Sequence, residues 1–202
     1  MNNENSVIRS AISKMWNEYI KRDYEDGKIA YEGDLDFRLG HYLIENIEKK
    51  GYEVFAKPTL VNLHQKKPDY IICKNGKIMA FIELKHSHYP IYQEDFYKFI
   101  DYFKARNNFS EKLRLNPVTG NIDGDDYTIS DDVQFYFCVI AKEDAVAVDC
   151  KSIRSELEND SKWMNNDQSL TTEVLKRVTV FYGKSKKPPE FGYCTFNSKS
   201  YD

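Results

Sequence analysis

Two apolar runs, "DYIIC" (69–73) and "IMAFIEL" (78–84), are joined by a short polar link containing Asn75-Gly76. Asn-Gly accepts the positive φ angles of a tight hairpin turn, so the stretch predicts two antiparallel strands. Both runs are apolar without alternation, so both faces of the hairpin are expected to be covered. Yet its ends carry Pro68-Asp69 and Glu83-Leu84-Lys85. A carboxylate beside a core is costly without a partner. That partner is either Lys85 alone or a metal ion.

Register decides between these readings. Period-two alternation puts Glu83 and Lys85 on one face of their strand. A strict two-residue loop at Asn75-Gly76 pairs Asp69 with Ile82 and leaves Glu83 on the opposite face. A bulge, or an odd-length turn, moves the pairing by one and brings both carboxylates together. Two carboxylates converging there supply hard oxygen ligands for Mg²⁺ or Mn²⁺. A neighbouring ammonium can orient water or stabilise charge on a phosphate. The constellation suits hydrolysis of a phosphodiester and predicts a bulge or an odd turn.

Helices and further strands surround the hairpin. Residues 5–21 read as a helix with Val7, Ile8, Ile12, Met15, Trp16 and Ile20 on one face. A second helix starts near Gly33-Asp34, with Asp34 as the expected N-cap, and runs to about Lys50. Its apolar stripe is Leu35, Leu39, Leu43, Ile44 and Ile47, and Gly51 is the stop. "YEVFAK" (52–57) and "VQFYFCVIA" (133–141) read as strands. Residues 91–106 read as a helix with Tyr92, Phe96, Phe99, Ile100 and Phe103 along one face. "NPVTGNIDGDDYTISDD" is expected to be a loop or a small exposed hairpin. Beyond it, "SIRSELEND" and "SLTTEVLK" read as short helices, "RVTVFYG" as a strand, and the rest as a tail. The order is helix, three strands, helix, strand.

Pro68-Asp69 followed by Glu83-x-Lys85 across a hairpin, within that order of elements, resembles the PD-(D/E)xK nuclease superfamily. The resemblance implies an α/β fold: a restriction-endonuclease-like core with a mixed sheet in αβββαβ order flanked by helices. Residues 1–202 then form a single nuclease-like domain, with its core at about 32–141, an added N-terminal helix (5–21) and a C-terminal extension (142–202). It also implies a metal-dependent nuclease that cleaves DNA using one or two Mg²⁺ (or Mn²⁺) ions. Asp69 and Glu83 would hold the metal with the Leu84 carbonyl, and Lys85 would position or activate water. Many members carry a glutamate on the helix before the first core strand. Glu32 fits that slot on the face of Leu35, Leu39 and Leu43, with Asp34, Asp36 and Glu45 as alternatives. Gln93 and Tyr97, an i, i+4 pair, resemble the Q-x-x-x-Y element of RecB-like members.

The histidines are treated separately. His86 and His88 follow the lysine and could approach a substrate phosphate, whereas His64 is expected at the surface. His41 is a loose match to the helical metal ligand of cap-snatching endonucleases, which keeps an RNA-cleaving alternative. A catalytically silent nuclease-fold module for nucleic-acid binding or assembly is the other alternative.

Composition bounds the rest. Hydrophobic residues make up 41% of the 202-residue chain and aromatics 14%, enough for a sizeable core. The net charge of -3 gives no global footprint for nucleic acid, so any groove must be local. Nucleic acid is still the expected partner, DNA ahead of RNA, with a homodimer or larger complex compatible. No apolar run approaches the roughly 18 residues of a membrane span, and the start lacks a signal-peptide pattern, so a cytoplasmic address is expected. Cys73, Cys138, Cys150 and Cys194 show no C-x-x-C pair and read as buried free thiols.

Overall fold

The computed structural model describes residues 3–87, 92–106, 110–114, 122–142, 148–185 and 188–196. At its centre lies the hairpin, β3 (Tyr70–Lys74) and β4 (Lys77–Ser87). Asn75 and Gly76 turn the chain at φ 51° and 70°, the left-handed pair that a two-residue type I′ turn requires. The turn is therefore strict, and a bulge supplies the register. Lys74 pairs with Lys77 and Cys73 with Ile78, but Ile72 pairs with Ala80 and Tyr70 with Ile82. Met79 is the extra residue, and one step beyond Tyr70 places Asp69 opposite Glu83.

Other strands complete an eight-stranded mixed sheet. β1 (Glu53–Ala56) pairs antiparallel with β3. β2 (Thr59–Leu60) pairs with β5 (Ser110–Arg114), which pairs antiparallel with the first part of β6 (Ile122–Ala141). The second part of β6 runs parallel to β4 and to β7 (Val178–Lys184), and β8 (Glu190–Thr195) adds an antiparallel edge. β4 thus lies between β3 and β6, so Glu83 sits on an interior strand and not on a solvated edge. Parallel strands need a crossover, and α4 (Gln93–Ala105) lies in the connection from β4 to β6.

Helices cover both faces. On one side lie α1 (Asn3–Lys14), a π-helical stretch (Met15–Ile20), α2 (Lys21–Glu25) and α3 (Glu32–Ile47). Ile12, Trp16, Leu35, Leu39 and Leu43 are fully buried against Ile72, Ile82 and Leu84. On the other side Phe96, Phe99 and Phe103 of α4 pack on Phe135 and Phe137 of β6. Each fully buried aromatic or aliphatic side chain contributes about 1.5–3 kcal/mol relative to exposure, so these two layers hold the sheet. The architecture is a mixed α/β fold, a mixed sheet flanked by helices on both faces.

Several expectations need correction. Asp34 is not the N-cap of α3, which is Tyr31, but completes a capping box with it. It lies within the first turn, where its Oδ2 accepts from the backbone N–H groups of Ala30 and Tyr31 at 2.9 and 3.3 Å. Residues 190–195, read as tail, form β8, because pairing with β7 supplies backbone partners that a local pattern cannot foresee. Of the stretch read as a loop or a small exposed hairpin, residues 122–132 belong to β6 and those at its start pair with β5, as the hairpin reading had it, while 116–121 lie outside the described residues. Cys150 and Cys194 form a disulfide between α5 (Cys150–Glu158) and β8. Only Cys73 and Cys138 are the buried free thiols expected, since the sheet folds back to bring the other two together.

Candidate active site

Alternation along β4 sends Phe81, Glu83 and Lys85 toward α4, and Ile82, Leu84 and His86 toward α3. Because Met79 shifts the register, Asp69 arrives on the α4 side. Its Oδ2 accepts from the Leu84 N–H at 2.7 Å. Burial raises the Asp69 carboxyl above the usual range against the pull of that hydrogen bond. Glu83 is only 2% exposed, and burial pushes it up to about 8 against the opposing charge of Lys98, with Asp69 and Asp95 adding to the rise.

The cations that meet these carboxylates come from two elements. Lys98 Nζ on α4 donates to Glu83 Oε2 at 2.7 Å and to Asp95 Oδ1 at 2.8 Å. Burial works against its charge, but Glu83 and Asp95 outweigh that and hold the ammonium protonated. Lys85 Nζ stands 3.5 Å from Asp95 Oδ2. Tyr102 stacks on Phe81 at 4.2 Å between ring centroids, which brings its hydroxyl to donate to Glu83 Oε1 at 3.4 Å. Asp95 is 2% exposed, and its Oδ2 has no hydrogen-bond partner among the described residues.

Glu32 reaches the end of β4 from the α3 side, where its Oε2 accepts from the His86 N–H at 3.2 Å. Among the described residues no hydrogen bond joins it to Asp69 or Glu83. Its three alternatives are committed elsewhere. Asp34 holds the start of α3, and Asp36 takes Lys57 at 2.6 Å and the Tyr70 hydroxyl at 2.6 Å. Glu45 lies 3.6 Å from His41 on the exposed face of α3, so His41 does not join the cluster.

The donor set suits a hard divalent cation in kind: carboxylate oxygens, one of them with no hydrogen-bond partner among the described residues, and an ammonium already bridging two of the acids. As the side chains stand, no three His, Cys, Asp or Glu groups among the described residues are placed to hold an ion. Leu84, whose carbonyl the resemblance implies as a ligand, lies between Glu83 and Lys85 with its N–H bound to Asp69.

The family described as the type I restriction enzyme R protein N terminus matches residues 17–146. The chain belongs to that family. The matched span takes in α3, the bulged hairpin, α4 and β6, so the carboxylate cluster lies wholly inside the part shared with restriction enzyme R proteins. No curated protein matches the chain. Among solved structures, SfsA of Pyrococcus furiosus in complex with Ca²⁺ aligns at a TM-score of 0.37 and 13% identity. That alignment covers 81% of this chain and 63% of the SfsA chain, less than two thirds of its length.

Within this member of the R protein family, three other site residues sought in the sequence lie apart from the cluster. Tyr97 donates to Asp160 and lies under Lys162 at 4.2 Å, so its ring faces α6 (Ser161–Met164) and not Glu83. Gln93, half-exposed, opens α4 one turn before Tyr97, and among the described residues no hydrogen bond joins it to the cluster. His86 is 7% exposed on the α3 side, edge-on to Tyr24 at 6.3 Å between centroids. Burial lowers its pKa, so the ring is neutral and enclosed where a phosphate contact was expected. His88 lies outside the described residues, and His64 is exposed as expected.

Asp95, Lys98 and Tyr102 were missed by sequence reasoning. Their i, i+3, i+7 spacing places them on one face of α4, beside the aromatic stripe. An acid and a lysine on a helix flank read as solvated surface. The available signal was that this flank faces the strand carrying Glu83 and Lys85.

No helix among the described residues is long and apolar enough to cross a membrane.

Proposed function

We propose that the chain is a metal-dependent nuclease module that hydrolyses DNA phosphodiester bonds through a PD-(D/E)xK site. The observation that carries this reading is the Met79 bulge, which puts Asp69 opposite Glu83 on the face that Lys85 shares. Membership of a restriction-enzyme family supports DNA as the substrate.

Asp69 and Glu83 would hold one or two Mg²⁺ or Mn²⁺ ions, with the Leu84 carbonyl beside them. When bound, such an ion stabilises negative charge on the phosphoryl oxygens. Lys85, half-exposed at the strand end, donates to the attacking water or a phosphate oxygen and fixes its approach. The Leu84 N–H orients Asp69, and Tyr102 orients Glu83. Glu32 anchors the end of β4 through the His86 N–H and so supports the position of Lys85.

The test is a panel of linear, circular and single-stranded DNA and RNA with Mn²⁺. Cutting of DNA by wild type, lost in Asp69→Ala and Glu83→Ala and reduced at least about a hundredfold in Lys85→Ala, is the expected result. Full activity in Lys85→Ala would sink the mechanism. A second reading, a silent binding module, draws on the ammonium of Lys98 that already bridges two of the acids. DNA binding with no cutting of any substrate would favour it.

A further inference from the structure

We propose that Lys98 is a resident counter-cation that holds Glu83 and Asp95 together until a divalent ion displaces it, whereupon Asp95 joins Asp69 and Glu83 around the ion. The proposal rests on the metal-dependent reading above and deepens it. Its first support is the double anchorage of Lys98, 2.7 Å from Glu83 on a central strand and 2.8 Å from Asp95 on a helix. A lysine that only solvates a helix flank does not bridge two buried acids from different elements.

Asp95 supplies the second support. The side chain is 2% exposed, yet Oδ2 has no hydrogen-bond partner among the described residues, and Lys85 stops 3.5 Å away. A buried carboxylate oxygen left open is costly, and ligation by a cation removes that cost. The third support is mobility. Glu83 and Asp95 are enclosed, whereas Lys98 is 31% exposed on a four-carbon stem and can carry its charge into water. The ammonium is therefore the group able to leave.

Charge balance favours the exchange. Glu83 and Asp95 share the one ammonium of Lys98, and Lys85 stands 3.5 Å from Asp95. A divalent ion in place of the Lys98 ammonium brings one more positive charge to these acids and frees Lys98 to meet a phosphate.

Mn²⁺ binding to the full chain, followed by calorimetric titration, tests the proposal. Lys98→Met and Lys98→Gln should each tighten Mn²⁺ by at least about tenfold, because the internal competitor is gone. Asp95→Asn should weaken it by a similar factor. Lys98→Gln keeps a donor on the acids and carries the comparison if Lys98→Met does not fold, which circular dichroism reports. Folded Lys98 variants that bind Mn²⁺ no tighter than wild type, or an unchanged affinity in Asp95→Asn, would overturn the proposal while the nuclease reading stands. Absence of Mn²⁺ binding in wild type and variants alike would overturn both.

Discussion

Glu83 concentrates the physics of the site in one carboxyl. It hydrogen-bonds Lys98 and Tyr102 on a central strand, yet burial lifts it from an ordinary value of 4.5 to about 8. A folded-state pKa above the unfolded one means that the folded protein keeps a proton the unfolded chain releases between those values. The resulting stabilisation is complete below about 4.5 and is lost as pH rises toward about 8. Metal-free wild type should therefore lose thermal stability relative to Glu83→Gln as pH rises from about 5 to about 8. Asp69 is raised in the same direction and His86 lowered, and both groups are common to the two proteins. The difference between the two proteins, measured by calorimetry, isolates Glu83. A pH-independent difference would mean that Glu83 is not the proton carrier. None of this was visible in "FIELK": the residue types suggested a site, but the pKa depends on α4 closing over the strand.

At the level of elements, the hairpin and helix α3 show how close packing supports the cluster. Gly40 lies where α3 crosses β3, and a Cβ there would stand 2.5 Å from the Tyr70 hydroxyl. That hydroxyl donates to Asp36, which in turn holds Lys57. Gly40→Ala must push Tyr70 aside, so it should destabilise the fold by about 1–3 kcal/mol. In a Tyr70→Phe background the same change should cost less, because the clashing oxygen is gone. A double-mutant cycle by denaturant unfolding measures this, and strict additivity would reject the contact. The hairpin itself was legible: two unbroken apolar runs and Asn75-Gly76 predicted both strands and the turn. The bulge was only bracketed, because Asn-Gly is compatible with either register. Met79 carries no local mark of being the extra residue, and its position follows from pairing with β3 on one side and β6 on the other. The three polar residues of α4 were overlooked for a related reason. Helical periodicity identifies the apolar face, but not which flank of it meets a neighbour's carboxylate.

Across the whole molecule, the segment after β6 extends the sheet and braces α4. β7 and β8 lengthen the sheet beyond β6, and Trp163 packs on Phe96 and Tyr97. The disulfide between Cys150 and Cys194 closes a segment of 44 residues around this extension. Chain-entropy reasoning assigns such a loop a stabilisation of about 4 kcal/mol in the oxidised protein. Reductant, or Cys194→Ser, should lower the melting temperature, and thiol titration of the unfolded, unreduced protein should find two reactive thiols. Four thiols before reduction would reject the bond.

Residue pattern alone was enough to read the order of helices and strands around the hairpin, because periodicity and turn chemistry act over a few neighbouring residues. It was also enough to nominate Asp69, Glu83 and Lys85, since charges at the ends of apolar strands stand out locally. The Met79 register, the inward turn of Asp95 and Lys98, the retreat of Tyr97 and His86 from the cluster, and the Cys150–Cys194 bond depend on contacts between distant segments. Those contacts exist only once the sheet is assembled and both helical layers have closed on it, so no local pattern encodes them.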